Sequence, residues 1–143
     1  MAPDPYDLTR FVEAQNAKWP QVVAELSAGR KQSHWSWYVF PQIEGLSRSA
    51  MGHAYAIDTL EEARAYRAHP TLGPRLLEIA ALMGRHEIPA ADILGTTDAL
   101  KLRSCLTLFE AVAQPGDPFA ALLERFFEGE RCPITRAWLT ERV

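Results

Sequence analysis

Apolar residues along this chain recur at helical spacing, and most runs are bracketed by a cap and a stop. Leu8, Phe11, Val12 and Gln15 make one i, i+3, i+4, i+7 stripe behind Asp7, a residue suited to capping. Pro20 suits the first turn of a second helix carrying Val22, Val23 and Leu26, with Gly29 as its stop. Residues 33–40 read either as a short helix opened by Ser33 and ended near Pro41, or as a short strand. The helix is preferred, because no partner strand is visible elsewhere. Ser47 or Ser49 opens a helix through Met51, Ala54 and Tyr55. Thr59-Leu60-Glu61-Glu62 is a capping box, in which the threonine hydroxyl and the glutamate carboxylate each satisfy a free backbone N–H. Its helix runs toward His69 and ends before Pro70.

Thr71 begins another helix, with Leu72, Leu76, Ile79, Ala80 and Met83 inward and Gly84 as its stop. Residues 89–94 make one or two turns ended by Gly95. Thr97 or Asp98 caps the best pattern, which continues through about Val112. Asp117 caps the next helix, with Pro118 in its first position and Phe119, Leu122, Leu123, Phe126 and Phe127 behind it; Gly129 closes it. A last helix from Pro133 carries Ile134, Trp138 and Leu139. The sum is an all-α, irregular compact globule of seven or eight short helices. It forms one domain over residues 1–143, with 1–6 extended or disordered. Heptads do not persist, which argues against a long up-down bundle.

Composition narrows the partners. A hydrophobic share of 48% with 23% charged residues fits a folded chain and not a disordered one. A net charge of -3 offers no general footprint for nucleic acid and no polybasic membrane anchor. Arg30, Lys31 and Arg48 flank one aromatic segment, so a local basic patch stays open beside the plainer reading of scattered, solvated charges. No apolar run is long enough to span a bilayer, and the start MAPDPYDLTR has no secretory pattern. Cys105 reads as a buried free thiol and Cys132 as a loop residue; neither belongs to a zinc-type cluster. Reduced thiols in a cytoplasmic protein are the expectation, with no metal and no cofactor.

Chemistry concentrates in two places. Residues 30–42, RKQSHWSWYVFPQ, hold two of the four tryptophans of the chain. Trp35, Trp37, Tyr38 and Phe40 accompany Lys31, His34 and Gln42, and an aromatic wall with adjacent donors suits a planar ligand. Core packing accounts for Trp35 and Phe40 equally well. The second place is the helix from Asp98 onward. Leu102, Cys105, Leu106, Leu108, Phe109 and Val112 define its apolar face, with Arg103, Thr107 and Glu110 opposite. Lys101 falls on the apolar side, where an ammonium must snorkel, pair or shift its pKa, and Asp98 lies three residues before it. Ser104 follows one turn along. The histidines His34, His53, His69 and His86 show no metal spacing. His34 is the candidate for acid–base work, His69 a helix end and His86 an exposed loop residue. Signatures of P-loop, dinucleotide-fold, zincin and serine-hydrolase chemistry are absent.

The ordered motifs GRKQSHWSWYVFPQ, AYAI, EEARAY, HPTLGPRL, DALKLRSCLTLF and FFEG make the chain similar to domain-of-unknown-function family 1810, from about Asp7 to Leu139. Its members are small, all-helical, mostly bacterial proteins, often labelled calpastatin, a name that belongs to a long disordered repeat inhibitor. The resemblance implies a helical fold. It also implies two kept motifs, one with Lys31, His34, Trp35, Trp37, Pro41 and Gln42, the other with Asp98, Lys101, Leu102, Ser104 and Thr107. It supplies no activity. Ser36 stands where the family usually has methionine, Cys105 where it has a second serine, and Arg131-Cys132-Pro133 where it has an aspartate before the last helix. Asp98 is left as the candidate acid.

Three functions compete. The first is a binder or hydrolytic enzyme for a nucleotide-like or ADP-ribose-like small molecule. Its candidate catalytic residues are His34, Asp98 and Lys101; its ligand-binding residues are Lys31, Trp35, Trp37, Gln42, Tyr55 and Ser104. The second is a protein-interaction module with the Trp35/Trp37 segment as hot spot. The third is a buried polar network of His34, Lys101 and Asp98 that serves stability alone.

Overall fold

The computed structural model describes residues 4–142. Among these are nine helices: α1 Thr9–Ala28, α2 Ser36–Val39, α3 Ala50–Ala54, α4 Leu60–Ala68, α5 Leu72–Gly84, α6 Ala90–Leu94, α7 Thr96–Glu110, α8 Phe119–Phe127 and α9 Pro133–Arg142. The fold is all-α; the only extended pairing among the described residues is a single parallel bridge between Ile43 and Ile57. Residues 1–3 of the expected loose N-terminus lie outside the described residues, and Asp4 to Asp7 form a turn.

Pro20 does not start a second helix. It lies inside α1, which runs unbroken for 20 residues. Leu8, Phe11, Gln15, Val22 and Leu26 fall on one stripe that passes the proline in register, and all five are buried. Side chains of α5 bind α1 in the turn before it: Arg75 donates to Asn16 Oδ1 (2.7 Å), and Trp19 Nε1 donates to Glu78 (2.9 Å). Burial of a continuous face outweighs a proline penalty of about 3 kcal/mol. Asp7 is not the cap either; it has a left-handed φ of 51°. Asp4 takes that role, accepting from the Leu8 and Thr9 amides and the Thr9 hydroxyl.

Thr59 Oγ1 accepts from the Glu62 amide at 3.0 Å, as the capping box predicts, while Glu62 returns to the amide of Asp58. The α4 end is tied down by His69, whose Nδ1 accepts from Thr71 and Leu72. Ser49 is the serine that caps α3. Asp98 and Asp117 are not caps. Gly95, with φ 86°, precedes α7, and the Asp117 carboxylate grips Arg67 at both oxygens (2.7 and 2.8 Å). His86 is not a free loop residue: its Nε2 donates to the Leu26 carbonyl at 2.6 Å, closing the end of α1. In α9 the inward residue is Thr135, not Ile134, which is 61% exposed. Thr107, expected on the polar side of α7, is buried. Its hydroxyl donates to Arg103 O and accepts from the Cys132 amide, so contact with α9 reverses the wheel.

Edge-to-face and tilted rings run through the core from Phe11 to Tyr66, Phe109 and Phe119, with centroids 5.1 to 6.3 Å apart. Gln15 is buried among them and donates to the Tyr66 hydroxyl and the Tyr38 carbonyl, which anchors α2 on α1.

Candidate functional site

The aromatic segment is held by Glu25 of α1. One oxygen accepts from the amides of Gln32 and Ser33 and the indole N–H of Trp35; the other accepts from the Ser33 hydroxyl. Partial burial alone would raise this carboxyl, but these four donors outweigh it and bring the pKa from 4.5 to about 2. The Lys31 amide donates to the Ile93 carbonyl (2.7 Å), which ties the segment to α6, directly before α7. Ser33 therefore serves the clasp and does not open α2, whose single turn starts at Ser36 and stops before Pro41.

The clasp sorts the two tryptophans. Trp35 is 0% exposed and packs edge-on against Phe40 at 5.6 Å; it offers no face to a ligand. Trp37 is half-buried and stands at a cleft of about 570 Å³ between α2, the residues preceding α3, the first turns of α7 and the start of α9. That volume is in the range of small-molecule sites. Thr97, Leu100, Lys101 and Ser104, at i, i+3, i+4 and i+7, supply the α7 wall. Gln42 reaches the opposite wall, aligned by the Ile43–Ile57 bridge, in which Ile57 donates to the Gln42 carbonyl at 2.9 Å.

Asp98 joins the motifs. Its carboxylate contacts Lys31 Nζ at 2.7 Å and Lys101 Nζ at 3.4 Å, and accepts from the Ser36 hydroxyl at 3.1 Å. Burial would raise this carboxyl, but the Lys31 hydrogen bond and charge, the Lys101 charge and the Ser36 hydroxyl hold it below the ordinary range. Asp98 is thus an ionised counter-ion and not a ready proton donor. Lys101 also donates to Ser36 Oγ (3.2 Å) and lies over the Trp37 ring at 4.6 Å. Two ammonium groups share one carboxylate, leaving one positive charge uncompensated.

Two further cations, Arg48 and Arg103, line the same cleft, and no carboxylate does so among the described residues. The Arg103 Nε is buried without a hydrogen-bond partner, and its Nη1 lies 3.9 Å from the exposed Glu130 carboxylate. Charge also separates this cleft from two others. A concavity of about 650 Å³ holds two arginines, Arg131 and Arg136, but Arg131 is paired with Glu110 and Glu124, so the charges there balance. One of about 510 Å³ carries Asp7, Glu44, Asp58 and Glu62 against Arg10 and His53. Volume alone would select the first, but only the Trp37 cleft combines unbalanced positive charge with an indole.

The remaining expected residues fall elsewhere. His34 is exposed, does not line the cleft and takes no part in the Asp98 network. Tyr55 packs against Phe11 and Tyr38, away from the cleft. The Ser104 hydroxyl donates to the Leu100 carbonyl of its own helix (3.1 Å). Cys132 is a loop residue as expected, but sequence reasoning did not place it at the site: it is buried directly before α9 and lines the cleft. Burial would raise its thiol. The hydroxyls of Ser104 and Thr135 and the amides of Thr135 and Ile134 bring it below the ordinary value instead. Its position before Pro133, at a helix start, was the available signal.

Fold and site together define an all-helical protein with a cationic, indole-walled cleft. The chain belongs to the family described as protein of unknown function (DUF1810), whose model matches residues 5–139. It is similar to the conserved hypothetical protein Rv1873 from Mycobacterium tuberculosis, a crystal structure 44% identical, with a TM-score of 0.93 over 96% of this chain and 99% of that one. No curated protein matches. No described helix is long and apolar enough to cross a membrane.

Proposed function

We propose that the Trp37 cleft binds a small planar anion of the nucleotide or ADP-ribose class. The observation that carries this reading is the uncompensated positive charge of Lys31, Asp98 and Lys101 beside an accessible indole, in a cleft that adds Arg48 and Arg103 and no acid. An anion would take that charge, while Trp37 stacks the ring. Binding is favoured over hydrolysis, because the Asp98 carboxylate is ionised and occupied and His34 stands apart. A thermal-shift screen with nucleotides, nicotinamide dinucleotide fragments and ADP-ribose tests it. Ligand at a hundred times its Kd adds about 2.7 kcal/mol and moves Tm by several degrees. No shift at millimolar concentration refutes the proposal.

A second reading draws on Leu100 and Ile134, which are 50% and 61% exposed at the lip of the cleft. Such apolar exposure beside Trp37 suits a docked protein segment. Trp35 has no surface to give it. Pull-down that succeeds with the wild type and fails with Trp37→Ala favours this reading; equal recovery by both counts against it.

A further inference from the structure

We infer that Lys101, and not Lys31, reads ligand charge in the cleft, and that it selects phosphate-bearing planar ligands over the same ring without phosphate. This inference rests on the cleft being an anion-binding site. The two lysines share Asp98 but are held differently. Lys31 has 6% of its side chain exposed, makes the short contact to Asp98 Oδ2 (2.7 Å), donates to the Ser33 carbonyl and lies over the buried Trp35 ring at 4.9 Å. Its three N–H groups have a carboxylate, a carbonyl and a ring, none of which an incoming molecule can replace without opening the clasp. Lys101 is 17% exposed and lines the cleft. Its polar contacts are longer, 3.4 Å to Asp98 Oδ1 and 3.2 Å to Ser36 Oγ.

Ser36 weakens the hold on Lys101 further. Its hydroxyl donates to Asp98 Oδ1, the oxygen nearest Lys101, so that oxygen serves two groups. A phosphate offers Lys101 a shorter, fully charged contact than a shared carboxylate oxygen and a neutral hydroxyl do. The ammonium also covers one face of Trp37 at 4.6 Å. Moving it onto a phosphate uncovers that face for the adjoining ring. An uncharged ring cannot draw the ammonium away and must compete with it for the indole. Charge recognition and stacking are thereby coupled through one side chain.

The test is titration calorimetry with adenosine 5′-monophosphate and adenosine. The variants are Lys101→Met, Lys101→Arg and Lys31→Met, each with its Tm measured. The wild type is expected to bind the monophosphate roughly ten-fold or more tightly than the nucleoside, the size of one charged contact. In Lys101→Met that preference falls toward one with Tm nearly unchanged, and adenosine binds as well as before or better. Lys101→Arg keeps the preference. Lys31→Met lowers Tm and, because it leaves Asp98 to Lys101 alone, reduces the preference, but by less than Lys101→Met does, at a temperature where it is folded. A folded Lys101→Met with the wild-type preference overturns the inference, as does equal binding of both probes by the wild type; either result leaves the cleft itself standing as a binding site. Failure of the wild type to bind either probe overturns the inference together with the reading beneath it.

Discussion

Replacing Glu25 by glutamine changes one charge and almost no volume, yet it strikes the group that shapes the aromatic segment. The wild-type carboxylate accepts from two amides, one hydroxyl and the Trp35 indole. A carboxyl lowered from 4.5 to about 2 corresponds to about 3 kcal/mol. Solvent screening of this partly exposed group reduces that to about 2 kcal/mol. The glutamine oxygen can keep some of the donors but not the charge. Urea unfolding at pH 7 should therefore show a loss of about 2 kcal/mol for Glu25→Gln, or roughly 5 °C in Tm. The pH dependence has a defined sign. The folded pKa is depressed, so the stabilisation is fully present above 4.5 and is lost as pH falls from there toward 2. The gap between wild type and variant should close over that window. Equal stability at pH 7, or a gap that persists undiminished near pH 2.5, would refute the clasp.

Other substitutions separate core from cleft. Trp35→Ala removes a fully buried ring and should cost about 3–5 kcal/mol, whereas Trp37→Ala should cost under about 1.5 kcal/mol and abolish ligand-induced thermal shifts. Asp117→Asn leaves the nearly buried Arg67 guanidinium without its counter-charge, and a loss of about 3 kcal/mol in denaturant unfolding is expected. Alkylation of the native protein, mapped by mass spectrometry, should reach Cys132 before Cys105. Burial raises the Cys105 thiol, while helix-start amides and hydroxyls lower that of Cys132. The reverse order would contradict the assigned environments.

What periodicity and caps encode could be read without coordinates. The Thr59 box, the glycine stops after α1 and α6, and the inward face of α5 all follow from local rules. The failures share one cause, tertiary contact overriding a local preference. Pro20 should break a helix, but a stripe buried against α5 carries α1 through it. Asp98 and Asp117 are good caps by type, but each meets a cation from another element and spends its carboxylate there. The inward turn of Lys101 was visible on the helical wheel, as was Asp98 beside it. Its third member, Lys31, lies 67 residues before Asp98, and no spacing rule links them. Glu25 was hidden for the same reason: its four partners lie in an irregular segment, where no periodicity marks which residue will be clasped. Family likeness paired the two motifs but gave no chemistry to their meeting.

The most direct measurement of the cleft is the indole N–H spectrum of the four tryptophans during titration with adenosine 5′-monophosphate. Only Trp37 lines the cationic cleft; Trp35 is sealed in the core, Trp19 is paired with Glu78, and Trp138 lies under Arg142 on α9. A saturable shift of the Trp37 resonance is expected, with the other three nearly still, and in Lys101→Met the same shift with a midpoint no lower than that for adenosine. No change at Trp37 with millimolar nucleotide, or a response confined to Trp19 or Trp138, would contradict it.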